Sequence, residues 1–125
     1  MKEVMAVIRM NKINETKRAL VALGYGSFTA TGRVMGRGKG AVDFRILAGA
    51  QEGYEEAIAQ LGQGPRLVPK RIITMIVQDK KVQKVVNTII RVNRTGSAGD
   101  GKIFILPVLE AARVRTGEAG DDILD

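Results

Sequence analysis

The sequence predicts an α+β sandwich of the ferredoxin-like, split βαβ kind, with an antiparallel sheet and both helices on one face. Three observations carry that reading. Apolar residues recur at helical spacing in two segments, each is flanked by apolar or β-branched runs, and a long glycine-bearing connection separates the halves. The order is strand, helix, strand, and again strand, helix, strand (βαββαβ). The halves share no convincing sequence repeat, so any symmetry is topological.

Taken in order, residues 4–9 read as the first strand. Asn14 can cap a helix that runs through Ala19, Leu20 and Leu23 and stops at Gly24. Residues 27–34 are a second strand candidate, with Phe28 and the β-favouring Thr29 and Thr31. The glycine-rich GRGKG follows at 36–40. Residues 41–68 then form a connection well beyond ordinary loop length, with four glycines and the ending GQGPRLV. Within it, YEEAIAQL at 54–61 is a plausible short helix with Ala57, Ile58 and Leu61 along one side. So short a helix is not stable alone, which favours a projecting element that orders on a ligand or partner. RIITMIV at 71–77 is apolar and β-branched enough for a buried strand. Asp79 can cap the second helix, whose Val82, Val85, Val86, Ile89 and Ile90 lie at helical spacing and which ends near Asn93. Residues 103–108 close the series as a strand.

A chain of 125 residues is normally one domain with a modest core. No apolar run approaches the roughly 20 residues a membrane helix needs. The start has only a short apolar stretch, broken by Arg9, and resembles no signal peptide, so a cytoplasmic location is expected. With no cysteine and no histidine there is no thiolate or imidazole chemistry, and no carboxylate pair has catalytic spacing. A regulatory or binding role is therefore expected rather than an enzyme. A nucleotide hydrolase is the catalytic alternative, and it rests on Asp100 alone.

The net charge is +7, which usually points to a polyanion. An RNA-binding ferredoxin-like domain is the corresponding alternative. Yet the chain has only two tyrosines and three phenylalanines and no aromatic-rich strand on which bases could stack. Its basic residues are dispersed. A smaller anionic ligand or an acidic protein partner accounts for them equally well, so nucleic acid is not expected.

One stretch says more. After the second helix the chain reads TGSAGDGKIFILPVLEAARVRTGE, with Gly96, Gly99 and Gly101 in a turn and Lys102 at its exit. Such glycines reach positive φ and let backbone N–H groups approach phosphate oxygens. Arg113 and Arg115 are two apart and would share a side if that segment were extended. Their forked guanidinium groups suit phosphate geometry.

TGSAGDGKIF followed by RVRTGE closely resembles the carboxy-terminal signature of the PII signal-transduction proteins. The likeness extends over nearly the whole chain. MKEVMAVIRMNKINETKRALVALG is similar to the family's first strand and helix, and GRGKG lies where the base of its long T-loop falls. Pro69 and Lys70 resemble that loop's closing residues. The opening and the long insertion, with an extended T-loop at 41–68 of a single domain, resemble most closely the branch associated with nitrogenase in methanogenic archaea.

The resemblance implies a trimer that binds ATP or ADP in clefts between subunits. Carried over by position, Gly99, Asp100, Gly101 and Lys102 belong to the phosphate-binding loop, and Arg113 and Arg115 match two arginines that reach the phosphates. Gly36, Arg37, Gly38 and Lys39 fall at the T-loop base. Thr29 and Ile76 match residues beside the nucleotide base. The family commonly holds Mg and 2-oxoglutarate next to ATP through a glutamine at the T-loop base. This chain offers Gly38 or Gly40 there, and neither supplies a side-chain oxygen, although Lys70 matches the lysine that pairs with the 2-oxoglutarate carboxylate. Tyr54 stands outside the tyrosine context used for uridylylation and reads as a contact residue, with Ile58 and Leu61 beside it. The implied target is nitrogenase, met as a homotrimer or together with a paralogous PII subunit. An ammonium transporter or another metabolic enzyme is the alternative.

Overall fold

The computed structural model describes residues 1–37 and 67–124. The chain divides into two compact units, Met1–Val34 with Pro69–Asp125, and Met35–Val68. Its strands are β1 (Lys2–Arg9), β2 (Thr29–Ala30), β3 (Val34–Gly36), β4 (Val68–Val77) and β5 (Lys102–Pro107). They form one sheet in the order β2-β4-β1-β5, and β3 also pairs with β4. The β1–β4, β1–β5 and β2–β4 pairs are antiparallel. Two helices, α1 (Ile13–Ala22) and α2 (Val82–Asn93), complete the predicted α+β order.

Strand alternation assigns the faces. On β1, Val4, Ala6 and Ile8 are buried, and in register with them β4 buries Ile73, Met75 and Val77. α1 contributes Ile13 and Leu20, and α2 contributes Val85 and Ile89, to the same core. Each such side chain contributes about 1.5–3 kcal/mol by leaving water. A polar link joins the helices inside this core: Asn93 Nδ2 donates to Thr16 Oγ1 at 3.0 Å, and Thr16 donates to the Lys12 carbonyl at 2.7 Å. The opposite face of the sheet carries Glu3, Met5, Val7, Ile72, Thr74, Ile76, Phe104 and Leu106, none of them buried.

The expected elements exist, with corrections at their edges. A 3-10 turn precedes each helix, Met10–Lys12 before α1 and Asp79–Lys81 before α2, so neither predicted cap is used. Asn14 lies inside the first turn of α1, and no side chain caps Lys12. Asp79 instead faces the amino terminus, with Oδ1 3.1 Å from the Met1 amine and 3.8 Å from Lys2 Nζ. The hydrogen bond from that amine is the main reason its carboxyl is held below the usual range. The expected stop at Gly24 is found: its φ is +88°, and its N–H donates to the Val21 carbonyl at 2.9 Å.

The single strand expected at 27–34 is broken into β2 and β3. Thr31 Oγ1 accepts the Ile72 N–H at 3.0 Å, and Arg71 Nε takes the Thr31 carbonyl at 2.8 Å. Side chains there replace the ladder, and pairing stops. The short helix expected at 54–61 lies outside the described residues. Among the described residues no helix is long and apolar enough to cross a membrane.

Candidate functional site

The segment from Thr95 to Gly101 links α2 to β5, and its shape follows from glycines and three side chains. Gly96, Gly99 and Gly101 have φ of +86°, +98° and +110°. At Gly101 the requirement is absolute, because a Cβ there would lie 2.0 Å from the Val7 carbonyl oxygen. The backbone of the loop therefore rests directly on β1.

Asp100 closes the loop on itself. Its carboxylate accepts the Thr95 N–H at 2.8 Å, the Gly96 N–H at 3.0 Å and the Thr95 hydroxyl. These bonds, the Thr95 hydroxyl foremost, stabilise the charged form and hold the carboxyl below its ordinary range. Asp100 is thus a shaping residue, its oxygens already engaged.

Two cations hold the loop from the sheet side. Arg9 Nη2 donates to the Ala98 carbonyl at 2.8 Å, Arg9 Nε to the Gly99 carbonyl at 3.2 Å, and the guanidinium lies 3.3 Å from Asp100. Lys70 Nζ donates to the same Gly99 carbonyl at 2.6 Å. Partial burial lowers the Lys70 ammonium below its usual range, and the Arg9 charge adds to that, with Asp100 opposing. The register explains the convergence. Arg9 faces Lys70 across β1–β4, while Val7 faces Lys102 across β1–β5, so the ends of three strands meet under one loop. Lys102 opens β5 and is exposed.

The other expected site residues lie elsewhere. Arg113 and Arg115 are not extended. The Arg113 N–H donates to the Glu118 carbonyl and the Gly117 N–H to the Arg113 carbonyl, both at 2.7 Å, which makes a tight turn. The Arg113 guanidinium lies 3.5 Å from the Glu118 carboxylate. Because Lys102 pairs with Val7 and Pro107 with Lys2, this turn follows the opposite end of β5 from the glycine loop. A single chain does not bring the two together. Thr29 pairs with Thr74 and Ile76 with Glu3, about 13–20 Å along β4 from Lys70. They share a depression of the sheet with Glu3, Phe28 and Ile123. Gly36 ends β3 and Arg37 follows it, in the second unit. Gly38, Lys39, Tyr54, Ile58 and Leu61 lie outside the described residues.

Comparison with known proteins decides the family. The family model described as Nitrogen regulatory protein P-II matches residues 1–118. The chain belongs to the PII family. A "Nitrogen fixation nifHD region GlnB-like protein 2" from Methanobacterium ivanovii is 43% identical over 129 residues, covering 99% of this chain and 99% of that protein. A similarly named protein from Methanosarcina barkeri is 41% identical over 97% of each chain. The crystal structure of Arabidopsis thaliana PII bound to citrate superposes with a TM-score of 0.71 at 30% identity, covering 98% of this chain and 88% of that one. The relatives of this PII chain are named as regulatory proteins, and several come from the nitrogen-fixation regions of methanogens, the branch that the opening and insertion resembled.

Arg9 and Glu3 are the residues that sequence reasoning missed. Neither belongs to a glycine motif, and both acquire their neighbours only through strand register.

Proposed function

We propose that this PII chain is a nucleotide-responsive regulator of nitrogen fixation that binds ATP or ADP between subunits and acts through the segment at 41–68. The observation that carries the reading is the preshaped loop from Thr95 to Gly101. Its carbonyls at Ala98 and Gly99 are held by Arg9 and Lys70, its shape is fixed by Asp100, and Lys102 stands at its exit. A glycine turn fixed in this way, with cations on two sides, suits the oxygens of a di- or triphosphate.

In this reading Lys102 neutralises phosphate charge, and Arg113 and Arg115 arrive from a neighbouring chain, with a trimer as the assembly. The exposed apolar residues Phe104, Ile105 and Leu106 on edge strand β5 support association. Thr29 and Ile76 flank the base, and Gly36, Arg37, Gly38 and Lys39 form the T-loop base. The compact unit Met35–Val68 matches such a loop on one regulatory domain. Different nucleotides favouring different loop states would shift the population that engages the target, by linkage. That target is nitrogenase, reached through Tyr54, Ile58 and Leu61, by a homotrimer or a mixed assembly with a paralogous subunit. The role is regulatory rather than enzymatic, and the location cytoplasmic.

2-Oxoglutarate fits less well. Lys70 is already engaged by the Gly99 carbonyl, and no glutamine stands at the T-loop base. Among the described residues no three acidic side chains converge on a metal site, so no step is routed through Mg. Calorimetric titration with ATP and ADP, with and without Mg and 2-oxoglutarate, tests the reading. Binding of ATP or ADP is expected; no binding of either overturns it.

A further inference from the structure

Glu3 lies on the open face of β1, opposite Ile76, and its Oε2 accepts a hydrogen bond from Thr74 Oγ1 at 2.6 Å. Thr74 is in turn the cross-strand partner of Thr29. All three line one depression together with Phe28, Ile76 and Ile123. A carboxylate beside apolar walls loses hydration and gains from every donor that reaches it. Thr74 supplies one such donor and fixes the direction of the group.

A recess with flat apolar walls and an oriented acceptor suits a planar heteroaromatic ring bearing an amine. The ring would lie against Phe28, Ile76 and Ile123, and an amine N–H would donate to the ionised Glu3, a charge-assisted bond. A ring with a carbonyl at the same position sets an acceptor against an acceptor and leaves both unpaired, which a polar site rejects strongly. We propose that Glu3, oriented by Thr74, is a specificity determinant that selects a nucleotide with an amino-substituted purine over one with an oxo-substituted purine. The inference rests on the nucleotide reading above and names the part of the ligand that this depression takes.

The test is calorimetry of the full-length chain with ATP, ITP and 2′-deoxy-ATP, for the wild type, Glu3→Gln and Thr74→Val. The wild type should bind ATP at least about tenfold more tightly than ITP, with 2′-deoxy-ATP close to ATP. Glu3→Gln, whose amide can donate to the oxo group, should bring the two purines to within about twofold. Thr74→Val keeps the carboxylate but frees it, and should narrow the ratio by a smaller amount. An unchanged ATP-to-ITP ratio in both variants overturns the inference. So does a Glu3→Gln loss seen equally with ATP and ITP but absent with 2′-deoxy-ATP, because the carboxylate would then be reading a ribose hydroxyl. A wild type that binds no nucleotide sinks the functional reading itself, an outcome distinct from either of these.

Discussion

The glycine loop from Thr95 to Gly101 and the arginine turn from Arg113 to Gly117 are both short, glycine-bearing and basic, yet they are built differently. The first is held from outside: Arg9 and Lys70 reach it from two other strands, and Gly101 rests on the β1 backbone. The second is held only from within, by two backbone hydrogen bonds and one ion pair to Glu118, whose side chain is 61% exposed. A loop locked by its own fold is ready before a ligand arrives. A turn that closes only on itself presents its arginines outward, at the other end of β5, where its own chain offers no phosphate loop. The difference points to a site divided between two copies of the chain.

The contrast can be broken first at its glycines. Gly101→Ala forces a side chain against the Val7 carbonyl at positive φ and should destabilise the fold by about 3 kcal/mol or more. Gly117→Ala, with φ of +72° and open space around it, should cost only about 1 kcal/mol. Chemical denaturation of both variants checks the difference. Equal losses would mean that the two turns are supported alike.

Nucleotide affinity comes next. Lys102→Ala and Arg113→Ala should each weaken ATP binding by about 1–3 kcal/mol, the scale of a lost charge-assisted contact. Unchanged affinity in both would remove the phosphate assignment from these residues.

A smaller effect concerns acid. The Asp100 carboxyl is depressed in the folded state by the Thr95 and Gly96 donors, so its contribution to stability is fully present above about pH 4 and fades as pH falls through the lower folded value. Asp100→Asn should flatten part of the loss in melting temperature between about pH 4 and pH 2, leaving the part due to Asp79. An unaltered acid slope would show that the Thr95–Asp100 link stabilises nothing. Smallest of all should be the effect of deleting residues 51–62 on ATP affinity, because long surface loops carry little of a core. The same deletion should abolish capture of nitrogenase components in a pull-down, and retained capture would place recognition elsewhere.

Much of this architecture was legible in the sequence, for stated reasons. Helical spacing in 82–90 and the apolar run at 71–77 are long, strong patterns, and both elements are present. The caps were misread because a polar residue ahead of a helix has competitors: Asp79 gains more from the Met1 amine than from a helix N-terminus. The break in the strand at Thr31 depends on a hydroxyl standing in for a carbonyl, which no propensity reports. At the site, the glycine spacing betrayed the loop, whereas its support by Arg9 required the pairing of residue 9 with residue 70. Arg113 and Arg115 were identifiable as phosphate-seeking, but the intervening turn, closed by Gly117, overrode the extended geometry that their spacing suggested.

The central claim is that the glycine loop and the arginine turn meet only across chains, and subunit mixing tests it most directly. Lys102→Ala and Arg113→Ala chains, each weak in ATP binding alone, would be unfolded together, refolded and titrated. If each site takes its lysine from one chain and its arginine from another, about a quarter of the sites in randomly mixed assemblies regain both and bind with wild-type affinity. If both residues served a site within one chain, mixing would restore none, and the divided site would be wrong.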